Sequence, residues 1–381
     1  MGFFSSKSKR HHVAIDVGSH SIQTVIFESP KSDSLPVITQ RIATKLSPAD
    51  KGLRTVKALH EVLFSLLKEK QQVPEKIVIG IGMGVVDVSL QEWVINDVRS
   101  RESLTPAHIQ HYFQKLFDEH RDENHAFLGY PVVLEANGYP VDIHALSKWD
   151  PSLIKELTLR TILLRFPDEI GSAFGELKKM FGGITIELVP KQGVYAESLT
   201  AALNIKNAML IDVGGSLTTL MSIHDGLLNH IASFPIGAER FSHRIMKTRT
   251  GKFVEAQDIT RQYTQGIMSK DEQSQLSHVM SEEVEVWKRS LISALEEFYP
   301  LMPLPENFYL FGGGSYIPEV RSALWSHDLI KDFSSFQSLR VHIVQGNSIF
   351  NGDSLHGSLK GPEDAGIASL VYYSLYHKPM F

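Results

Sequence analysis

The sequence predicts an α/β fold built by duplication into two lobes. Three observations carry this. Ile15-Asp16-Val17-Gly18 recurs as Ile211-Asp212-Val213-Gly214, each time with an apolar strand leading in and another leading out. A third glycine turn, Gly312-Gly313-Gly314-Ser315, follows a further apolar strand. The 381 residues suffice for two or more compact units, each with its own core.

Val13, Ile15 and Val17 alternate with smaller or polar residues, as on one face of a strand. The turn at Gly18 interrupts, and Ile22 to Phe27 resumes the pattern. Arg54 to Lys70 carries Val56, Leu59, Leu63, Leu66 and Leu67 at helical spacing, Pro74 ends that segment, and Lys76 to Gly82 is a short apolar strand. From Gly84 to Phe166 the texture changes. Thr105-Pro106 starts a helix with a capping hydroxyl and a first-turn proline. Strand-like runs at Val85 to Val94, Pro131 to Ala136 and Thr158 to Phe166 surround it, and Asn137-Gly138 is a hairpin turn. Ser172 to Phe181 reads as helix and Ile184 to Val189 as strand. Past the second repeat, Asp225-Gly226 turns the chain into a strand at Leu228 to Phe234. Arg240 to Gln275 is polar and helix-prone without clear boundaries. Helices follow at Glu282 to Tyr299 and Asp364 to Tyr376. The expected organisation is a basic tail over 1–12, a first lobe from 13–83 and 167–206, an inserted α+β module over 84–166, and a second lobe over 207–381, more helical at about 238–303.

Composition excludes several functions. The net charge of -5 argues against nucleic-acid binding through phosphate contacts. With no cysteine, disulfides, thiolate metal sites and cysteine nucleophiles are ruled out. No apolar run approaches the ~20 residues that span a bilayer. Met1-Gly2 with Ser6 matches a myristoylation pattern, but the reading preferred for this segment, His11 and His12 included, is a solvated basic tail. Its Lys7, Lys9 and Arg10 suit weak attraction to an anionic membrane. The 17 histidines are scattered, with no helix-spaced pair backed by carboxylates.

The glycine turns suit a nucleotide. A phosphate is held by backbone N–H groups aimed at it from a tight turn, and glycine permits the close approach. The candidates are Gly18, Ser19, His20 and Ser21 in the first turn, and Gly214, Gly215, Ser216 and Thr218 in the second. Gly312, Gly313, Gly314, Ser315 and Ile317 form a third, against which an adenine ring could lie. Asp16 and Asp212, at strand ends beside these glycines, are placed to hold the waters of a magnesium ion from opposite sides. No Walker-type Gly-Lys-Ser/Thr ending is present.

The order of these turns resembles the actin-like ATPase superfamily: two-lobed, with duplicated ribonuclease-H-like lobes. Asp16-Val-Gly-Ser-His-Ser-Ile-Gln23, the run Asp212 to Leu220 followed by Phe234-Pro-Ile-Gly237, and Phe311-Gly-Gly-Gly-Ser-Tyr-Ile-Pro318 look most like the cell-division protein FtsA and the pilus-assembly protein PilM. The inserted module lies where those families carry theirs, an SHS2-type unit. The resemblance implies bound ATP and magnesium, with Lys288 reaching the ribose. The departures are Gln23 for a common lysine, Ser216-Leu217 for Gly-Thr, Thr219 for an acid or histidine, and Val189-Pro190 for Glu-Pro. Thr219 and Ser216 could position a water but are poor bases, so slow or absent ATP turnover is expected.

The expected function is therefore an ATP-binding cytoplasmic scaffold. It would be recruited to the inner face of the membrane by an FtsZ-like filament or a membrane-anchored pilus protein, and could form a homo-polymer. Phe234-Pro-Ile-Gly237 leans towards division. The run Ser216 to Leu220, and an end at Phe381 without an amphipathic tail helix, lean towards the pilus. The alternatives are a small-molecule kinase, needing a base such as Asp142, Asp150 or Asp168, and a degenerate scaffold that binds no nucleotide.

Overall fold

The computed structural model describes residues 11–29, 35–46, 53–69, 74–96, 98, 104–119, 125–146, 148–298, 303–325, 339–350, 358–378 and 380. Lys7, Lys9, Arg10 and the Met-Gly start lie outside these residues. The chain opens with β1 (His11–Val17), β2 (Ser21–Glu28), β3 (Val37–Lys45), α1 (Leu53–Glu69) and β4 (Lys76–Ile81). Then come β5 (Asp87–Asn96), α2 (Pro106–Glu119), β6 (His125–Ala136), β7 (Tyr139–Pro140), α3 (Ile143–Leu146) and β8 (Glu156–Pro167). Next are α4 (Asp168–Met180), β9 (Thr185–Pro190), α5 (Lys191–Leu203), β10 (Ala208–Val213), β11 (Thr218–His224) and β12 (Leu227–Phe234). Helices α6 (Ala238–Ile245), α7 (Phe253–Thr264) and α8 (Lys270–Phe298) precede β13 (Asn307–Phe311), α9 (Pro318–Leu324), β14 (Arg340–Ile343) and α10 (Ala365–Tyr376).

Two five-stranded sheets share one topology: β3-β2-β1-β4-β9 and β12-β11-β10-β13-β14. In each, the central strand runs antiparallel to the one after its turn and parallel to a later one. A four-stranded antiparallel sheet, β5-β8-β6-β7, arises between β4 and α4 in the chain. This is the duplicated arrangement that the repeat predicts.

Alternation along the two central strands explains the layering. Val13, Ile15 and Val17 face an outer core shared with α1 and α4, and Met209, Ile211 and Val213 face the corresponding core with α6 to α9. The opposite faces, Ala14 and Leu210, enter one inner core built on α5 and α10. The next residues on those inner faces are Asp16 and Asp212. Period two thus carries both carboxylates to the seam between the lobes, where the inner core ends.

Several local expectations change. His11 and His12 begin β1, half-buried, with His12 stacked on Phe27 at 5.5 Å; strand pairing extends to them because both edges of β1 have partners. Helix α8 starts at Lys270, well before Glu282, and the polar stretch ahead of it contains α6 and α7. Asp168, a candidate base in the kinase alternative, is the first residue of α4, after Pro167 at the cap.

Candidate functional site

Both repeated turns are closed by the same hydrogen bond. Gly18 N–H donates to the Ser21 carbonyl and Gly214 N–H to the Leu217 carbonyl, each at 3.0 Å. A Cβ on either glycine would lie 3.0 or 3.1 Å from that acceptor, so a side chain at either place would push the turn open by a few tenths of an ångström. The second turn has extra support. Ala238 and Glu239 N–H, at the start of α6, donate to the Gly214 and Gly215 carbonyls at 2.9 Å. These are first-turn donors that have no acceptor within their own helix. The turns meet across the seam, where Ser216 N–H donates to Ser19 Oγ at 3.3 Å. His20 bridges further, with Nδ1 2.8 Å from Glu239 Oε1 and Nε2 3.2 Å from Gln257 Nε2.

A cavity of about 310 Å³ lies between the lobes, at the lower end of the small-ligand range. Gly18, Ser19, His20, Ser21, Gly214, Gly215, Gly312 and Gly313 line it together with Asp16 and Asp212. One cavity therefore gathers parts of all three turns. The remaining candidates stand back from it. Thr218 is buried, its hydroxyl donating to the Ile236 carbonyl and accepting from Trp287 Nε1. Thr219 is buried in β11, opposite Asp212. Ser315 closes its own turn onto the Gly312 carbonyl at 2.7 Å, Gly314 packs on Val213, and Ile317 is core. Lys288 is buried among the α8 core residues and is not part of this lining. Asp142 and Asp150 cap short helical turns, and neither they nor Asp168 line the cavity.

Sequence reasoning missed Lys191 and Tyr195. Lys191 opens α5 directly after the Val189-Pro190 departure, and Tyr195 stands one turn on, so both reach the same face. Lys191 Nζ lies 2.9 Å from Asp16 Oδ1, with both side chains 12% exposed, and Tyr195 Oη donates to Asp16 Oδ2 at 3.0 Å. Burial disfavours the Lys191 ammonium, but Asp16 and Asp212 outweigh it and the pKa rises. Burial raises Asp212 from 3.8 to about 6, Lys191 opposes that rise, and Asp16 adds to it. The signal for Lys191 was present. A cation at the first position of a helix opposes the helix dipole, so a partner outside the helix is needed to account for it.

Magnesium fits this donor set poorly as it stands. Two carboxylates suit a hard cation, but one already carries an ammonium. Among the described residues no group of three or more His, Asp or Glu is arranged to hold a metal.

No protein-family profile and no curated protein matches the chain. Solved structures do. A chain of the PilM-PilN type IV pilus biogenesis complex is 16% identical with a TM-score of 0.63, covering 96% of this chain and 99% of that one. The MamK double helical filament is 10% identical at TM-score 0.49, covering 97% and 100%. MreB 5 of Spiroplasma citri bound to AMPPNP is 12% identical at TM-score 0.46, covering 96% of each chain. The likeness to the PilM-PilN chain, at 16% identity, establishes the fold alone, which is actin-like.

Proposed function

We propose that this chain is a nucleotide-binding scaffold of the FtsA/PilM type. Nucleotide phosphates would face the backbone N–H groups of the turns at Gly18 and Gly214, and adenosine would lie towards Gly312 and Gly313. The observation that carries the reading is the convergence of the three glycine turns on one interlobe cavity. A ligand bridging both turns would set the lobe angle, a closure of the hinge type. That angle is what a protein partner would read. The partner class is a membrane-anchored pilus protein or a division filament at the membrane. The likeness to a chain solved in the PilM-PilN complex supports the former. Among the described residues no helix is long and apolar enough to cross a membrane.

Turnover is expected to be slow, because Thr219 is buried in β11 and neither it nor Ser216 lines the cavity. The test is the melting temperature with and without saturating ATP, in magnesium and in chelator, with phosphate release followed in the same sample. A ligand at one hundred times its dissociation constant adds ~2.7 kcal/mol to the folded state. A shift with little phosphate release supports the proposal. Phosphate transfer to a small molecule would favour the kinase. No shift with any nucleotide would leave a scaffold acting through its surfaces alone.

A further inference from the structure

We propose that Lys191 is a resident counter-ion that keeps the Asp16 and Asp212 pair closed to free divalent cations. Its ammonium is ion-paired with Asp16 Oδ1 at 2.9 Å while Tyr195 Oη donates to Oδ2 at 3.0 Å, so a positive charge already stands against this carboxylate. A magnesium or manganese ion needs carboxylate oxygen at ~2.1 Å plus a shell of waters. That shell and the ammonium compete for the same space, and their charges repel.

The lysine has a prepared seat. Its stem passes two glycines of the first lobe: a Cβ at Gly80 would lie 3.3 Å from Lys191 Cγ, and one at Gly82 would lie 3.1 Å from Lys191 Cε. Gly366 leaves room on the far side, where a Cβ would meet Tyr195 Oη at 2.5 Å and Asp16 Oδ2 at 3.0 Å. The ammonium also lies 5.7 Å from the centre of the Tyr195 ring. Position and dipole agree on the role. A lysine at the first residue of a helix gains nothing from the helix, and its partners come from the two central strands. A divalent ion would then be held here only together with a polyphosphate, whose charge would compete with Asp16 for the ammonium. This consequence rests on the nucleotide reading; the exclusion of free metal does not.

Manganese alone, without nucleotide, is the probe, followed by electron paramagnetic resonance at about pH 8, above the value of about 6 to which burial raises Asp212. The wild type is expected to show no tightly bound ion, and so is Lys191→Arg, which keeps the charge. Lys191→Met should bind one ion roughly tenfold to a hundredfold more tightly, and lose it again when Asp16→Asn is added. One tightly bound ion in the wild type, abolished by Asp16→Asn, would overturn the proposal, as would a folded Lys191→Met that binds no better than wild type. Should Lys191→Met fail to fold, acylation of Lys191 in the wild type decides, read by mass spectrometry. A rate unchanged by manganese supports the resident ammonium, and a rate that manganese increases refutes it. Because metal alone is used, failure here leaves the nucleotide reading standing.

Discussion

The two Ile-Asp-Val-Gly turns have the same sequence, the same strand pairing and the same closing hydrogen bond, yet their aspartates live in different surroundings. Asp16 is ion-paired to Lys191 and hydrogen-bonded by Tyr195. Asp212 is pushed up to about 6 by burial. The sheet register shows where the difference begins. Asp16 lies beside Gly80 of β4, and Asp212 beside Phe311 of β13. Gly80 leaves space for the Lys191 stem, while Phe311 fills the corresponding place and packs edge-on against Tyr195 at 5.7 Å. Gly80 pairs with Val189 and Leu310 with Ile343. Counted on from that pairing, Gly346 is the second-lobe position that corresponds to Lys191. A duplicated strand–turn–strand unit thus acquires opposite electrostatics from its neighbours.

The largest effect is expected where the second turn meets the third. Gly312 has φ +86, and a Cβ there would lie 2.4 Å from Asp212 Oδ1 and 2.6 Å from the Val213 carbonyl. Gly312→Ala should cost about 4 kcal/mol, from strained backbone plus overpacking. Chemical denaturation measures it; a loss below about 1 kcal/mol would mean that the loop relaxes freely and that the turns are not locked together.

The aspartates themselves should respond with unequal size. Asp16→Asn strips a buried ammonium of its partner and should cost about 3 kcal/mol at neutral pH. Asp212→Asn removes a carboxylate whose ionisation the fold disfavours, so stability should stay within about 1 kcal/mol of wild type or rise. Equal losses in the two variants would erase the asymmetry.

Glu187 in β9 and His342 in β14 occupy matching places, opposite Val78 and Tyr309. His342 stacks on Tyr309 at 4.7 Å. Glu187 binds Lys76 Nζ and Tyr373 Oη, both at 2.6 Å. Burial works to raise the Glu187 pKa, but those two hydrogen bonds outweigh it and the value is lowered. The folded pKa lies below the unfolded one. The stabilisation is therefore complete above the ordinary glutamate value and is lost as pH falls through the lowered one. Glu187→Gln should flatten the acid limb of a stability–pH profile. A limb as steep as that of wild type would show that Glu187 does not contribute to it.

The smallest effect belongs to the bridge between the turns. Ser19→Ala removes the acceptor for Ser216 N–H and should cost about 1 kcal/mol or less. Small-angle scattering should also show more open lobes, and unchanged scattering would assign closure to other contacts, such as His20 with Glu239.

Much of this was legible in the chain. The repeat, the alternation of Val13, Ile15 and Val17, and glycine at each turn predict two matching lobes because strand periodicity and dihedral demand are local properties. They also predict which residues approach the seam: eight of the turn candidates and both aspartates line one cavity. Thr218, Ser315 and Lys288 carried no such information, because a hydroxyl or ammonium near a turn can serve the fold as readily as a ligand. Thr218 spends its hydroxyl on Ile236 and Trp287, and Ser315 spends its own on Gly312.

The sequence by itself determined the duplicated architecture and the three turns, through spacing that acts over a few residues. Only the tertiary structure decided the charge state of the cleft. Lys191 is 175 residues from Asp16 and 21 from Asp212 in the chain. Its ammonium reaches them because β9 pairs with β4 and because Gly80 and Gly82 leave its stem a path. A buried charge is set by whatever the fold places within a few ångströms, and no local pattern encodes that neighbourhood.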